Sequence, residues 1–262
     1  MWQQVQQRSK IVLWLIVLGI LAGERAPSAA WAQNQNDSPA HKVKVLVFLI
    51  GGMDSDPTAA QIQQKAKRPE GNSGMYRLMG DLKHDQIDAQ YFNWNGTEAG
   101  KIKAKPAPGT APMIAAIQQQ LQADPHCQVV IVGNSWGGHT AAQVCQEIGE
   151  LKTPISVDCL VLLDPSSAGR TGKGKPEKLP PNVKHAVNYY TRNVFGWRSL
   201  PTDERLENID LGDRKFGFLV DRGPAYDATF DFQAHVAAEW DERIHADIRK
   251  RILARVEMPE GK

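Results

Sequence analysis

The chain has 262 residues, of which 42% are hydrophobic and 23% charged, and its formal net charge is +2. That size and composition support a substantial buried core in one large domain or two small ones, and they exclude a globally disordered chain. The near-neutral balance, with no strongly basic or acidic block, argues against nucleic acid or an anionic membrane surface as the main partner.

The first segment speaks to compartment. Arg8 and Lys10 precede an apolar run at residues 11–22, broken by Gly19, and Ala30-Trp31-Ala32 follows before Gln33. A basic start, an apolar stretch of about a dozen residues and a small-x-small site describe a secretory signal. A stable membrane span needs roughly 20 apolar residues. The expectation is therefore a signal peptide at residues 1–32, cut after Ala32, and a secreted or periplasmic protein with no stable span after cleavage. An uncleaved N-terminal anchor is the alternative. Cleavage removes Arg8, Lys10, Arg25 and Glu24, which leaves a formally neutral mature chain.

Residues 33–40 are polar and read as a linker into a domain at 41–262. Residues 42–50 form a nearly continuous apolar run that stops at Gly51-Gly52. Such a run suits a strand of a parallel sheet covered on both faces. The loop that follows holds Ser55 and Asp56, either of which can cap the next helix. Residues 58–82 read as helix with a break at 69–74, and residues 88–94 as a second strand. A loop rich in Lys, Pro and Gly leads to a helix at 111–123, where Met113, Ile114, Ile117 and Leu121 have helical spacing.

A third strand at 129–132 runs into a glycine turn, and a helix of small residues follows to about Ile148. A fourth strand at 157–163 ends in Asp164-Pro165. Residues 166–181 show no periodicity and read as loop, and 183–190 as a fifth strand. The signal at 191–232 is mixed, with a doubtful strand near 216–220. The last helix is expected at about 240–256, with Ile244, Ile248, Ile252 and Leu253 on one face. Strands alternating with helices imply an α/β fold: a mostly parallel, doubly wound sheet with helices on both faces. No long helical insertion is present to build a large cap.

The cysteines, Cys127, Cys145 and Cys159, all fall on apolar elements. They are expected to be small buried hydrophobes, with a Cys127–Cys159 disulfide as the alternative in an exported protein. None has zinc-ligand spacing.

The chemistry centres on Gly133-Asn134-Ser135-Trp136-Gly137, set between an apolar strand and a helix. The five-residue pattern recurs by chance, and the flanking elements are what give it weight. In that setting it resembles the nucleophile elbow of the α/β-hydrolase superfamily, close to its lipase and esterase branches. The order of elements is similar over nearly all of the mature chain.

The resemblance implies a chain order of nucleophile, acid, histidine, so the partners of Ser135 should follow it. A serine is a weak nucleophile until a base takes its proton and a third group orients that base. His235 sits late in the chain, where the family places its histidine, and His245 is the alternative. His139 lies on the helix behind the elbow, and His185 starts a strand at the wrong end for a parallel-sheet site. Asp164 ends the strand after the nucleophile helix and is the leading acid, with Asp203, Asp210 and Asp213 as rivals and a turn-capping role as its bland reading.

The resemblance also implies an oxyanion hole built from the N–H of Trp136 and a second donor from the first strand's loop, Met53 or Gly52. Family members often carry His-Gly there. This chain departs, with Ile50-Gly51-Gly52-Met53.

Two patterns are set aside. Gly169-Arg170-Thr171-Gly172-Lys173-Gly174-Lys175-Pro176 nearly matches a phosphate loop, but Pro176 replaces the hydroxyl. His235 and Glu239 could share a helix face, yet the sequence has no His-Glu-x-x-His pattern, so no metal is expected, and no cofactor either. The reading is a secreted serine hydrolase of small-molecule or lipid esters, thioesters included. An inactive hydrolase-fold binding protein and an acyltransferase with the same triad stay open as alternatives.

Overall fold

The computed structural model describes residues 44–52, 73–95, 110–167, 175–218 and 232–256. The described residues lie in one compact unit, Ala40–Lys262. The expected signal peptide, the linker, Met53, residues 169–174 of the phosphate-loop-like run and the start of the helix at 58–82 fall outside them.

Six strands form one parallel sheet: β1 Val45–Ile50, β2 Asp88–Phe92, β3 Gln128–Asn134, β4 Cys159–Leu163, β5 Ala186–Tyr190 and β6 Leu206–Asp210. Their order is β2-β1-β3-β4-β5-β6. β1 and β4 are buried at every position, and β3 at every position after Gln128. That burial explains their unbroken apolar runs, since a strand covered on both faces has no side to turn to water.

Alternation along β1 sorts the helices. Val45, Val47 and Leu49 face one cluster, with Met75, Leu78 and Leu82 of α1 (Gly74–His84), Ala234 and Ala238 of α4 (Phe232–Trp240), and Ile244, Ile248 and Ile252 of α5 (Glu242–Val256). Leu46, Phe48 and Ile50 face the other, with Met113 and Ile117 of α2 (Ala111–Ala123) and Ala141, Val144, Cys145 and Ile148 of α3 (Trp136–Gly149). The sheet is therefore doubly wound, as expected. Each fully buried Leu, Ile or Met contributes about 1.5–3 kcal/mol relative to exposure. β2 and β3 flank β1 on opposite sides, so the chain direction across the sheet reverses at β1. The carboxyl edge at such a reversal is where open α/β sheets place their sites.

The structure departs from the sequence expectations at three places: the doubtful strand near 216–220, the sixth strand and the segment ahead of the last helix. Of the doubtful strand near 216–220, the described residues, 216–218, form no strand. A 3-10 turn spans Arg214–Phe216, Gly217 closes it at φ 72, and Phe218 packs edge-on against Tyr189 with ring centroids 6.0 Å apart. The apolar signal there comes from a loop covering the core. The sixth strand is instead β6, whose sequence Leu-Glu-Asn-Ile-Asp buries only Ile209. It is held by backbone pairing to β5 and carries polar side chains, as edge strands do.

The last helix, expected at about 240–256, is α5, and a second short helix, α4, runs directly ahead of it. Asp241 separates them, and its side chain accepts from the Arg243 N–H at 2.9 Å to cap α5. The segment ahead of it, for which the sequence suggested no element, is the short helix α4. The cysteines are free and buried, so the Cys127–Cys159 disulfide is absent: Cys159 faces the α1/α4/α5 layer, and Cys127 belongs to the opposite cluster. No helix among the described residues is long and apolar enough to cross a membrane.

Leu162 is fully buried in β4 against the α2/α3 layer. Leu162→Ala is expected to lower the unfolding free energy by about 2–5 kcal/mol, read from the shift of the urea midpoint at unchanged m-value.

Candidate active site

The carboxyl ends of β1, β3 and β4 deliver Gly51-Gly52, Ser135 and Asp164 to one edge of the sheet. Ser135 links β3 directly to α3 and adopts φ 51 and ψ −121. A non-glycine residue at positive φ is costly and persists only where its surroundings enforce it. Here the enforcement is packing. A Cβ on Gly133 would collide with the Gly137 carbonyl, and one on Gly137 would lie 2.5 Å from the Gly51 oxygen. A Cβ on Gly138 would come within 2.7 Å of Pro165 Cβ. The turn is further tied down by Ser135 N–H donating to the Leu163 carbonyl at 3.0 Å, and Ser166 N–H donating to the Ser135 carbonyl at 3.0 Å.

Asp164 is fully buried and sits at φ 41. A buried carboxylate is tolerated only with partners. Its Oδ1 accepts the Thr191 N–H at 2.9 Å, and its Oδ2 accepts the Thr191 hydroxyl at 2.8 Å. Gly196 allows the neighbouring loop to approach, since a Cβ there would lie 2.6 Å from Oδ1.

The third side chain comes from α4. His235 Nδ1 lies 2.6 Å from Asp164 Oδ2, and its Nε2 lies 2.7 Å from Ser135 Oγ. A carboxylate can only accept, so the ring proton belongs on Nδ1, and Nε2 is left to accept from the serine hydroxyl. Ser135, His235 and Asp164 are thus brought together as one hydrogen-bonded run, although they are 100 and 71 residues apart in its two links.

The other candidates go elsewhere. His245 lies in α5 with Nε2 2.7 Å from the Glu239 carbonyl. Asp203 pairs with Arg205 and Asp210 with Arg192, while Asp213 caps the 3-10 turn through the Lys215 N–H. His139 is buried in α3 against Trp197, and His185 is exposed at the start of β5, at the opposite edge. Among the described residues, no group of three or more His, Cys, Asp or Glu side chains is arranged to hold a metal.

Of the expected oxyanion donors, Trp136 opens α3, so its N–H lies at the positive end of that helix. Its ring meets Trp94 edge-on with centroids 5.0 Å apart. Gly52 packs on the serine itself: a Cβ there would be 3.1 Å from Ser135 Cβ and 2.9 Å from Asn134 Oδ1. Only a glycine lets the β1 loop lie this close.

Sequence reasoning missed Thr191 and Gly196, which hold Asp164, and it missed the role of Glu239. Glu239 follows His235 by one turn of α4 and is buried. Its carboxylate accepts the Gly74 N–H at 2.9 Å and the Ser73 hydroxyl at 3.3 Å, at the start of α1. Burial pushes its carboxyl up to about 7, against the pull of these donors and of nearby His235. No periodicity could reveal these three, because each meets its partner through tertiary structure alone.

A model of the alpha/beta hydrolase family matches residues 96–254. No curated protein matches the sequence. Among solved structures, a protein of unknown function from Agrobacterium tumefaciens superposes with TM-score 0.48 at 10% identity, over 83% of this chain and 88% of that one. A cutinase-like protein from Cryptococcus sp. gives 0.39 at 15% identity, over 83% and 96%. A serine hydrolase without a lid from Xanthomonas campestris gives 0.42 at 13% identity, over 86% and 88%.

The raised Glu239 carboxyl has a consequence for stability. The folded chain keeps a proton that the unfolded chain releases from the ordinary value of 4.5 upward. Its stabilising contribution is therefore complete below pH 4.5, declines as pH rises, and is lost above about 7. The full decline is on the order of 3–4 kcal/mol, at about 1.4 kcal/mol per pH unit. Glu239→Gln is expected to flatten this component, measured by urea unfolding at a series of pH values.

Proposed function

The chain belongs to the alpha/beta hydrolase family, and from that premise we propose that it is a serine hydrolase cleaving carboxylic esters through Ser135, His235 and Asp164. The observation that carries this reading is the unbroken run Asp164–His235–Ser135, with links of 2.6 and 2.7 Å.

Each group then has a step. Ser135 Oγ attacks the ester carbonyl while His235 Nε2 takes its proton. Asp164, oriented by Thr191, holds the imidazole by Nδ1–H and stabilises the imidazolium. The carbonyl oxygen, now negative, is received by the Trp136 N–H and by a second donor from the β1 loop, Gly52 or Met53. Collapse breaks the C–O bond, and His235 passes its proton to the departing alcohol. Water, deprotonated by the same nitrogen, attacks the acyl-enzyme, and the acid leaves with Ser135 restored. Transfer to another alcohol would follow the same path with a different acceptor.

Exposed apolar side chains support an ester with an apolar part. Val236 beside His235 is 44% exposed, and Val194 and Phe195, in the loop that reaches Asp164 through Gly196, are 46% and 41% exposed. The hydrogen-bonded imidazole supports catalysis over a purely binding role, which would need no such alignment.

The test is covalent labelling by a fluorophosphonate, alongside hydrolysis of p-nitrophenyl esters of rising chain length. Ser135→Ala is expected to abolish labelling, and both it and Asp164→Asn to lower kcat about 10⁴-fold or more. Labelling that persists in Ser135→Ala would place the nucleophile elsewhere. We also propose export with cleavage after Ala32. N-terminal sequencing of the protein recovered outside the cytoplasm is expected to begin at Gln33.

A further inference from the structure

The helix that carries His235 is short, and its described buried apolar residues are small. α4 spans nine residues, and among its residues of described burial, 234–240, the fully buried ones are Ala234 and Ala238. Alanines bury little surface, so their contribution to holding the helix is small. Yet His235 must keep both ring nitrogens within hydrogen-bond reach of groups on two other elements. A displacement of about 1 Å in such an arrangement can cost about 10²-fold in rate.

The missing restraint lies one turn further along α4. We propose that Glu239 is a positioning residue for His235: its buried carboxylate clamps α4 to the N-terminus of α1 and so fixes the imidazole between Ser135 and Asp164. The proposal rests on the serine-hydrolase reading for its kinetic consequences, though not for its geometry.

Several observations converge on this clamp. Ser73 is completely buried, and its hydroxyl works in both directions. It accepts the Tyr76 N–H at 3.3 Å as the cap of α1, and it donates to Glu239 Oε1 at 3.3 Å. The same oxygen accepts the Gly74 N–H at 2.9 Å. The negative end of the clamp thus meets the positive end of a helix. The two backbones are also in contact. A Cβ on Gly74 would fall 2.9 Å from the Glu239 carbonyl carbon and from its own Cγ, so only glycine permits the approach.

The far end of α4 is tied as well. His245 Nε2 lies 2.7 Å from the Glu239 carbonyl, which links α4 to α5. The groups facing the Glu239 carboxyl are His235 on its own helix and Ser73, Gly74 and Met75 from α1. Its carboxyl is held up to about 7 by burial. The neutral acid and the carboxylate both present an oxygen to Gly74, so the clamp survives either state, and a glutamine can substitute for it.

The test reads the imidazole directly and then its consequence. The N–H shared between His235 and Asp164 is expected as a downfield proton NMR resonance, assigned by its disappearance in His235→Gln. Glu239→Ala is expected to broaden or erase it while circular dichroism shows the chain folded, and Glu239→Gln to restore it. Persistence of the signal in Glu239→Ala overturns the proposal, whether or not the protein cleaves esters. Its absence from the wild type overturns it equally, since no fixed imidazole would then exist to be positioned.

With p-nitrophenyl acetate as probe, Glu239→Ala is expected to lower kcat about tenfold or more at nearly constant KM, and glutamine to recover most of that loss. Equal losses in both variants would assign the effect to the charge and not to the clamp, and would overturn it. Should Glu239→Ala fail to fold, Ser73→Ala removes one of the two described side-chain bonds. A weakened resonance with reduced kcat supports the clamp, and no change in either rejects it.

Discussion

At residue 137 there is space for a hydrogen atom and nothing more. Any Cβ there would press on the carbonyl oxygens that end β1. This contact of α3 against the first strand is what the site depends on. It sets how sharply the chain turns from β3 into α3, and the sharpness of that turn forces Ser135 to φ 51. Gly133, Gly138 and Gly52 each relieve a similar contact around the same turn. Removing side chains from four positions lets three segments of backbone crowd one serine.

The polar half of the site follows a second constraint, the cost of burying charge. An isolated ionised carboxylate in a protein interior is prohibitive, so each buried acid must be met by donors. Asp164 is met by both polar groups of Thr191 and by His235. Glu239 is met by Ser73 and Gly74. These bonds run between elements far apart in the chain. They convert two local acids into ties among β4, β5, α1 and α4, and His235 stands where those ties cross.

The central strands were the most legible part. β1 and β4 are apolar throughout, and β3 is apolar over residues 129–132, because both faces are covered, so composition alone marks them. The same holds for α2, whose bounds match the apolar spacing. Elements at the periphery were misread for the converse reason. β6 owes its existence to backbone bonds with β5, which leave no trace in side-chain pattern. Phe216 and Phe218 imitated a strand because a loop can cover a core as well as a strand can. α4 carries no helical signature in the sequence because its described buried apolar residues, Ala234 and Ala238, are small, whereas α5 shows its isoleucines at helical spacing.

The sequence by itself determined the strand alternation, the sheet edge at which Ser135 and Asp164 emerge, and the glycines without which the turn cannot close. These are local properties: apolar runs, a two-residue period and the absence of a side chain act on their immediate neighbours. Among four later histidines it could rank His235 first only by resemblance. Tertiary structure alone decided that its ring meets both partners, that Thr191 and Gly196 cradle the acid, and that Glu239 faces α1. Hydrogen bonds across 27, 71, 100 or 165 residues depend on how whole layers pack, and no short window of sequence carries that information.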